Sequence, residues 1–148
     1  MWKKATLLIL TGLFVTSCSF TPIQLNGDPA RYNGRAVVLR GFVSLAPDRH
    51  VLCESRAIYA EVQKGWEFGN PSCGGKKYDK YCVTIANSEL LYKNRAAVNA
   101  RTITLQGKFI DSDRIVKTFD LGACPLPTAI IIDNAALAQR YPSIVLQK

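Results

Sequence analysis

Five cysteines, one histidine and one run of mixed aromatic and cationic residues are where this chain could do chemistry. The cysteines are Cys18, Cys53, Cys73, Cys82 and Cys124. A structural or soft-metal site needs thiolates and imidazoles at close, regular spacing. Here there is no C-x-x-C pair, one histidine (His50) and one methionine, the initiator, so no metal is expected. His50 and Cys53 raise a second chemistry, since a thiolate beside an imidazole is an activated nucleophile. Residues three apart in a strand project to opposite faces, and no third group orients the imidazole. Catalysis is not expected, and His50 reads as an exposed strand-end side chain.

The segment Gly69-x-x-x-x-Gly74-Gly75-Lys76-Lys77 approaches a phosphate-binding loop, but an extra glycine precedes the lysine and no Ser/Thr follows it. No nucleotide or other cofactor is expected. The same stretch mixes rings and cations: Trp66, Phe68, Tyr78 and Tyr81 with Lys64, Lys76, Lys77 and Lys80. That mixture suits stacking on sugars or contact with an acidic polymer. Trp66, Phe68, Lys76, Lys77, Tyr78 and Lys80 are therefore the candidate ligand-contact residues. The competing reading is a loop that packs its own rings onto the domain. Asp111, Asp113 and Asp120 could hold a hard cation, but Asp and Ser beside a turn are explained by hydrogen bonds to their own backbone.

The N-terminus sets the compartment in which this chemistry must be judged. Lys3 and Lys4 precede a low-charge, leucine-rich run, Ala5–Val15, which is followed by Val15-Thr16-Ser17-Cys18. A charged start, an apolar run and small residues at a cleavage site are the order of a secretory signal peptide. The run is about half the roughly twenty residues that a spanning helix needs. The final four residues resemble the lipobox of bacterial lipoproteins, with Val15 where leucine is commonest. The resemblance implies removal of residues 1–17 and lipidation of Cys18. Ser19 stands where an aspartate tends to hold Gram-negative lipoproteins in the inner membrane, so the resemblance implies attachment to the outer membrane, facing the periplasm.

An exported chain reads differently in two respects. The formal charge of +8 falls by two when Lys3 and Lys4 leave, and it belongs to a chain that would not meet nucleic acid. Its anionic neighbours would be lipid headgroups and envelope polymers. With Cys18 lipidated, four cysteines remain in an oxidising compartment, enough for two disulfides with three possible connectivities. Cys82 and Cys124 both flank apolar segments that read as core strands. Their positions favour a Cys82–Cys124 bridge, which leaves Cys53–Cys73.

The mature chain of roughly 130 residues suits one domain with its own core. The full sequence has 48% hydrophobic and 20% charged residues, part of the apolar content belonging to the leader, a globular and not a disordered composition. Residues 18–27 read as a tether and 28–148 as the domain. Asp28 and Pro29 suit the N-cap and first position of a helical turn that Gly34 ends. Alternation predicts strands over 35–45, 50–53, 81–86, 101–110 and 115–121, and a buried strand over 128–132. Glu54–Lys64 fits either a helix capped by Ser55 or a continuing strand. A helix is expected from Asn87 or Ser88 to about Ala100, and a short last one over 135–141, capped by Asp133 or Asn134 and stopped by Pro142. Arg35-x-Val37-x-Leu39-x-Gly41 matches Arg101-x-Ile103-x-Leu105-x-Gly107, so two leading strands are expected to bend at glycine.

This order predicts a mainly β fold: a small OB-like barrel, closed or partly open, with one helix between strands and a short C-terminal helix. Asp28–Gly41, Tyr81–Arg95 and Asp120–Asp133 resemble segments of small Gram-negative lipoproteins, a likeness that brings no activity with it. The expected function is a lipid-anchored, non-enzymatic binding or adaptor module for an envelope protein or anionic polymer. The alternative is a structural lipoprotein of envelope assembly with no small ligand. Mass spectrometry of the mature protein is expected to find an N-terminal Cys18 carrying acyl chains; an unmodified peptide that begins before Cys18 would exclude lipidation.

Overall fold

The computed structural model describes residues 18–47, 49–67, 79–111 and 126–144. Five strands close a barrel in the order β1-β2-β3-β5-β4. They are β1 (Ala36–Ala46), β2 (Arg49–Cys53), β3 (Cys82–Ile85), β4 (Thr102–Asp111) and β5 (Thr128–Ile132). All neighbours are antiparallel except β3 and β5, which are parallel. The fold is thus the expected OB-like barrel, in its closed form. The strand expected over 115–121 lies outside the described residues.

Closure depends on β1, which serves two partners. Its first part, Ala36 to Phe42, pairs with β4, and its second, Phe42 to Ala46, pairs with β2. The inward side chains Val37, Leu39, Val43 and Leu45 meet Leu52, Val83, Ile103, Leu105, Phe109 and Ile130 in one buried core. In β4 and the first half of β1 this alternation is why the strands were readable: one face is apolar because one face is inside.

The two matching segments turn out to be neighbours. Leu39 faces Leu105, Val37 faces Gly107 and Gly41 faces Ile103, so the repeats are related by a local two-fold relation between β1 and β4. The relation extends beyond the motif. Gly34 N–H donates to Phe109 O and Ala100 N–H donates to Val43 O; Phe109 N–H donates to Arg35 O and Val43 N–H donates to Arg101 O. Gly34 and Ala100 both have positive φ, 75° and 58°. Each glycine of the motif sits where the next strand passes close by. A Cβ on Gly41 would lie 2.5 Å from the carbonyl oxygen of Cys53, and one on Gly107 would lie 2.1 Å from that of Ile131. The need is for backbone approach, the role expected of glycine in a tightly curved sheet.

Helices plug the two ends. Between β3 and β4 the single expected helix is two short ones, α4 (Glu89–Lys93) and α5 (Arg95–Val98), because Asn94 turns back at their junction and its side chain donates to Leu90 O. Leu91 and Val98 insert into the barrel core. The other end is closed by α1 (Pro22–Asn26) and α2 (Pro29–Tyr32). Asp28 caps α2 through Arg31 N–H, as its sequence position implied. The last helix, α6 (Asn134–Arg140), is capped by Asp133, whose carboxylate accepts from Ala135 and Ala136 N–H.

Residues 20–27, expected as part of a tether, belong to the fold. Phe20 forms a parallel bridge to β1, donating to Val38 O and accepting from Arg40 N–H. Leu25 is fully buried in the core. The Asn26 amide donates to Lys80 O and Cys82 O, and its carbonyl accepts from the Thr128 hydroxyl. Nothing in the periodicity of so short a segment announced this, since its partners are all distant in sequence.

Ala100 holds a left-handed conformation that costs an L-residue roughly 1–2 kcal/mol. Ala100→Gly is therefore expected to raise stability by about 1 kcal/mol, and Gly34→Ala to lower it by about as much, as read by urea denaturation.

Candidate functional site

In barrels of this topology the outward face of strands two and three, with the adjoining loops, is the usual ligand surface. Here that face is occupied by the chain itself. After β2 the chain forms α3 (Arg56–Glu67), resolving the ambiguous Glu54–Lys64 stretch as a helix. Ser55 starts it, its hydroxyl accepting from Ile58 N–H. Ile58, Tyr59 and Val62 fall on one helical side and pack over Val51, Cys53 and Cys82 together with Leu126. Tyr59 also lies against Phe42, with ring centroids 5.6 Å apart. The Thr84 hydroxyl, outward on β3, accepts from Leu126 N–H and is buried.

A disulfide lies in the same layer. The antiparallel register sets Cys53 opposite Cys82, with Cα atoms 4.0 Å apart, and the two are bonded. The expected Cys82–Cys124 bridge, and with it Cys53–Cys73, is thereby corrected. The reason is pairing across strands: Cys53 ends β2 and Cys82 begins β3, and both point outward. Recognising β2 and β3 as direct neighbours in the barrel would have found the pair. Cys73 and Cys124 lie outside the described residues. The bond also removes Cys53 as a thiolate partner for His50.

His50 is half-buried rather than exposed. Its Nδ1 is hydrogen-bonded to the hydroxyl of Ser88, and its ring stacks on Tyr92 at 5.0 Å. The Arg95 guanidinium covers the Tyr92 ring at 4.6 Å. This stack fastens β2 to α4 and α5, a joint between the barrel wall and its plug.

The aromatic and cationic run is only partly within view. The backbone of Trp66 lies in the last turn of α3. Phe68, Lys76, Lys77 and Tyr78 lie outside the described residues. Lys80 is exposed in a single 3-10 turn, Asp79–Tyr81, with its ammonium 4.9 Å from the Tyr81 ring centre. Asp111 ends β4, its N–H donating to Asn33 Oδ1, while Asp113 and Asp120 are not described.

Among the described residues, no helix packs over the outward side of β1, β4 and β5 as α3 does over β2 and β3. A shallow depression of about 250 Å³ is lined by Ala36, Gln106, Gly107, Lys108, Ile131 and Asp133. A second depression beside it is lined by Gln106, Ala136, Gln139 and Arg140. Gln106, Lys108 and Arg140 are exposed, as is Arg40 on the neighbouring strand. Asp133, the acid of this surface, is engaged in capping α6. Sequence reasoning did not single these residues out, because outward polar positions on a strand look alike until the covered and open faces are known.

Cys18 is exposed and forms no disulfide. Among the described residues no helix is long and apolar enough to cross a membrane. No family model, no curated protein and no solved structure matches this chain.

The disulfide closes a segment of 29 residues and holds the self-covered face together. Loop closure of that length stabilises a fold by about 2–4 kcal/mol. Cys53→Ser with Cys82→Ser is expected to lower unfolding stability by that amount in denaturant titration, and non-reducing peptide mapping of the wild type should return a Cys53–Cys82 peptide.

Proposed function

We propose that the mature chain is a lipid-anchored cell-envelope protein whose barrel serves as a non-enzymatic binding or adaptor module. The observation that carries this reading is the lipobox-like Val15-Thr16-Ser17-Cys18 at the end of an apolar run, with an exposed cysteine at the threshold of the folded domain. Several acyl chains on Cys18 would bury many methylenes, each contributing about 0.8 kcal/mol, so attachment would be stable. Ser19 in place of aspartate favours the outer membrane, with the barrel facing the periplasm.

The partner is an envelope protein or an anionic polymer, and the surface that suits it is the open β1–β4–β5 face. The strand-two and strand-three face is filled by α3 and the disulfide. That face carries the exposed cations Arg40, Lys108 and Arg140 around shallow depressions, a chemistry matched to phosphate or carboxylate groups presented by a large partner. The residues of the Trp66–Lys80 run offer a second contact region of the same character.

Crosslinking in intact envelopes followed by pull-down of the lipidated protein tests the proposal. A discrete partner or a polymer adduct is expected. Lys108→Glu with Arg140→Glu should reduce its yield at least fivefold, and replacing Trp66, Lys76 and Lys77 by alanine separates the two regions. An unchanged adduct pattern in both variants would exclude these surfaces, and no adduct at all would favour a passive structural lipoprotein.

A further inference from the structure

We infer that the end of the barrel bearing α1 and α2 lies directly on an anionic lipid leaflet, so that the anchored domain has one fixed orientation. The inference rests on the proposed lipidation of Cys18. Its observation is the length of the connection. Phe20 is already bridged to β1, two residues after Cys18. Two residues of fully extended chain span at most about 7 Å. The headgroup layer of one leaflet is itself about 5–7 Å deep. With acyl chains in the hydrocarbon and Cys18 at its boundary, Phe20 cannot rise more than a few ångströms clear of the headgroups.

The segment that follows cannot unroll to lengthen the connection. Leu25 is in the core, and Asn26 is hydrogen-bonded to Lys80, Cys82 and Thr128. The parallel bridge also sets direction. Running back from Phe20 beside Leu39, the chain heads toward the start of β1, where α2 and Arg35 lie.

The chemistry of this end fits the occupant. Ile23, on α1, is the one large hydrophobic residue exposed among those described, at 38%. Arg31 lies over Tyr32, 5.6 Å from its ring centre, and Lys80 lies over Tyr81. Tyr32 in turn packs edge-on against Phe20. Ring-and-cation pairs of this kind favour a boundary that is apolar on one side and charged on the other. Arg31, Arg35 and Lys80 are exposed. At about 10 Å or less from the lipid they lie within one screening length of its negative surface potential. Of the nearby acids, Asp28 is exposed and caps α2, Glu54 is half-buried and accepts from Ile23 N–H, and Asp111 is half-buried.

The test uses the acylated mature protein in vesicles of phosphatidylethanolamine with one-fifth phosphatidylglycerol. A genetically encoded fluorescent residue replaces either Ile23 or Lys93, which is exposed on α4 at the opposite end. Headgroup-attached nitroxide is expected to quench the probe at 23 at least threefold more than the probe at 93. A twenty-residue Gly/Ser insertion between Ser19 and Phe20 should cut that ratio to near one, and Arg31→Glu with Arg35→Glu and Lys80→Glu should lower it. Equal quenching at both positions in a protein whose acylated Cys18 is verified by mass would overturn the orientation alone. A Cys18 that is not acylated would overturn both the orientation and the function on which it rests.

Discussion

Barrel closure rests on the double duty of β1. One strand must pair with β4 through its first half and with β2 through its second, and the strands beyond must pass close enough to complete both ladders. Side chains stand in the way of such crossings. Gly41 and Gly107 remove the Cβ where the carbonyls of Cys53 and Ile131 approach. The near two-fold relation between β1 and β4 explains why the two strands carry the same pattern of residues. Each meets the same geometric demand from the opposite direction, down to the matched positive φ at Gly34 and Ala100.

Once the barrel is closed, its surfaces divide by what the chain itself uses. α3 arises directly after β2 and has nowhere to bury Ile58, Tyr59 and Val62 except against the outward side of β2 and β3. That packing, with the Cys53–Cys82 bond beneath it, spends on stability the face that related topologies leave for ligands. The recognition surface proposed above lies instead on the outward side of β1, β4 and β5 and in the loops. The ends are similarly divided, one plugged by α4 and α5 with the His50–Ser88 joint, the other by α1 and α2 at the proposed anchor.

Much of the fold was legible in the residues because its signals are local. Alternation marked β1 and β4 to within a residue, since much of each has one inward face, and a continuous apolar run marked β5, which is buried on both faces. Asp28 before Pro29, and Asp133 before α6, marked helix starts through side chains that bond to N–H groups two or three positions on. The glycine motif marked both crossings. α3 was ambiguous, because Glu54–Lys64 satisfies either period and only burial against Cys53 and Cys82 distinguishes them. The candidate site was less legible. Of the residues expected to contact a ligand, Lys80 alone has a described side chain, and the depressions around Gln106 had no sequence signature.

By itself, then, the sequence determined strand positions, caps, the glycine crossings and the mainly β barrel, all of which are written in nearest-neighbour chemistry. It also contains the lipobox-like motif on which the proposed anchoring depends. Tertiary structure alone decided the disulfide partner, the division of the expected helix at Asn94, the covered and open faces, and the absorption of residues 20–27 into the fold. The physical reason is common to most of these. Cys53 meets Cys82, and Asn26 meets Thr128, through strand order and register. Those are properties of segments far apart in the chain, and a one-residue change of register would turn the same side chains to the other face.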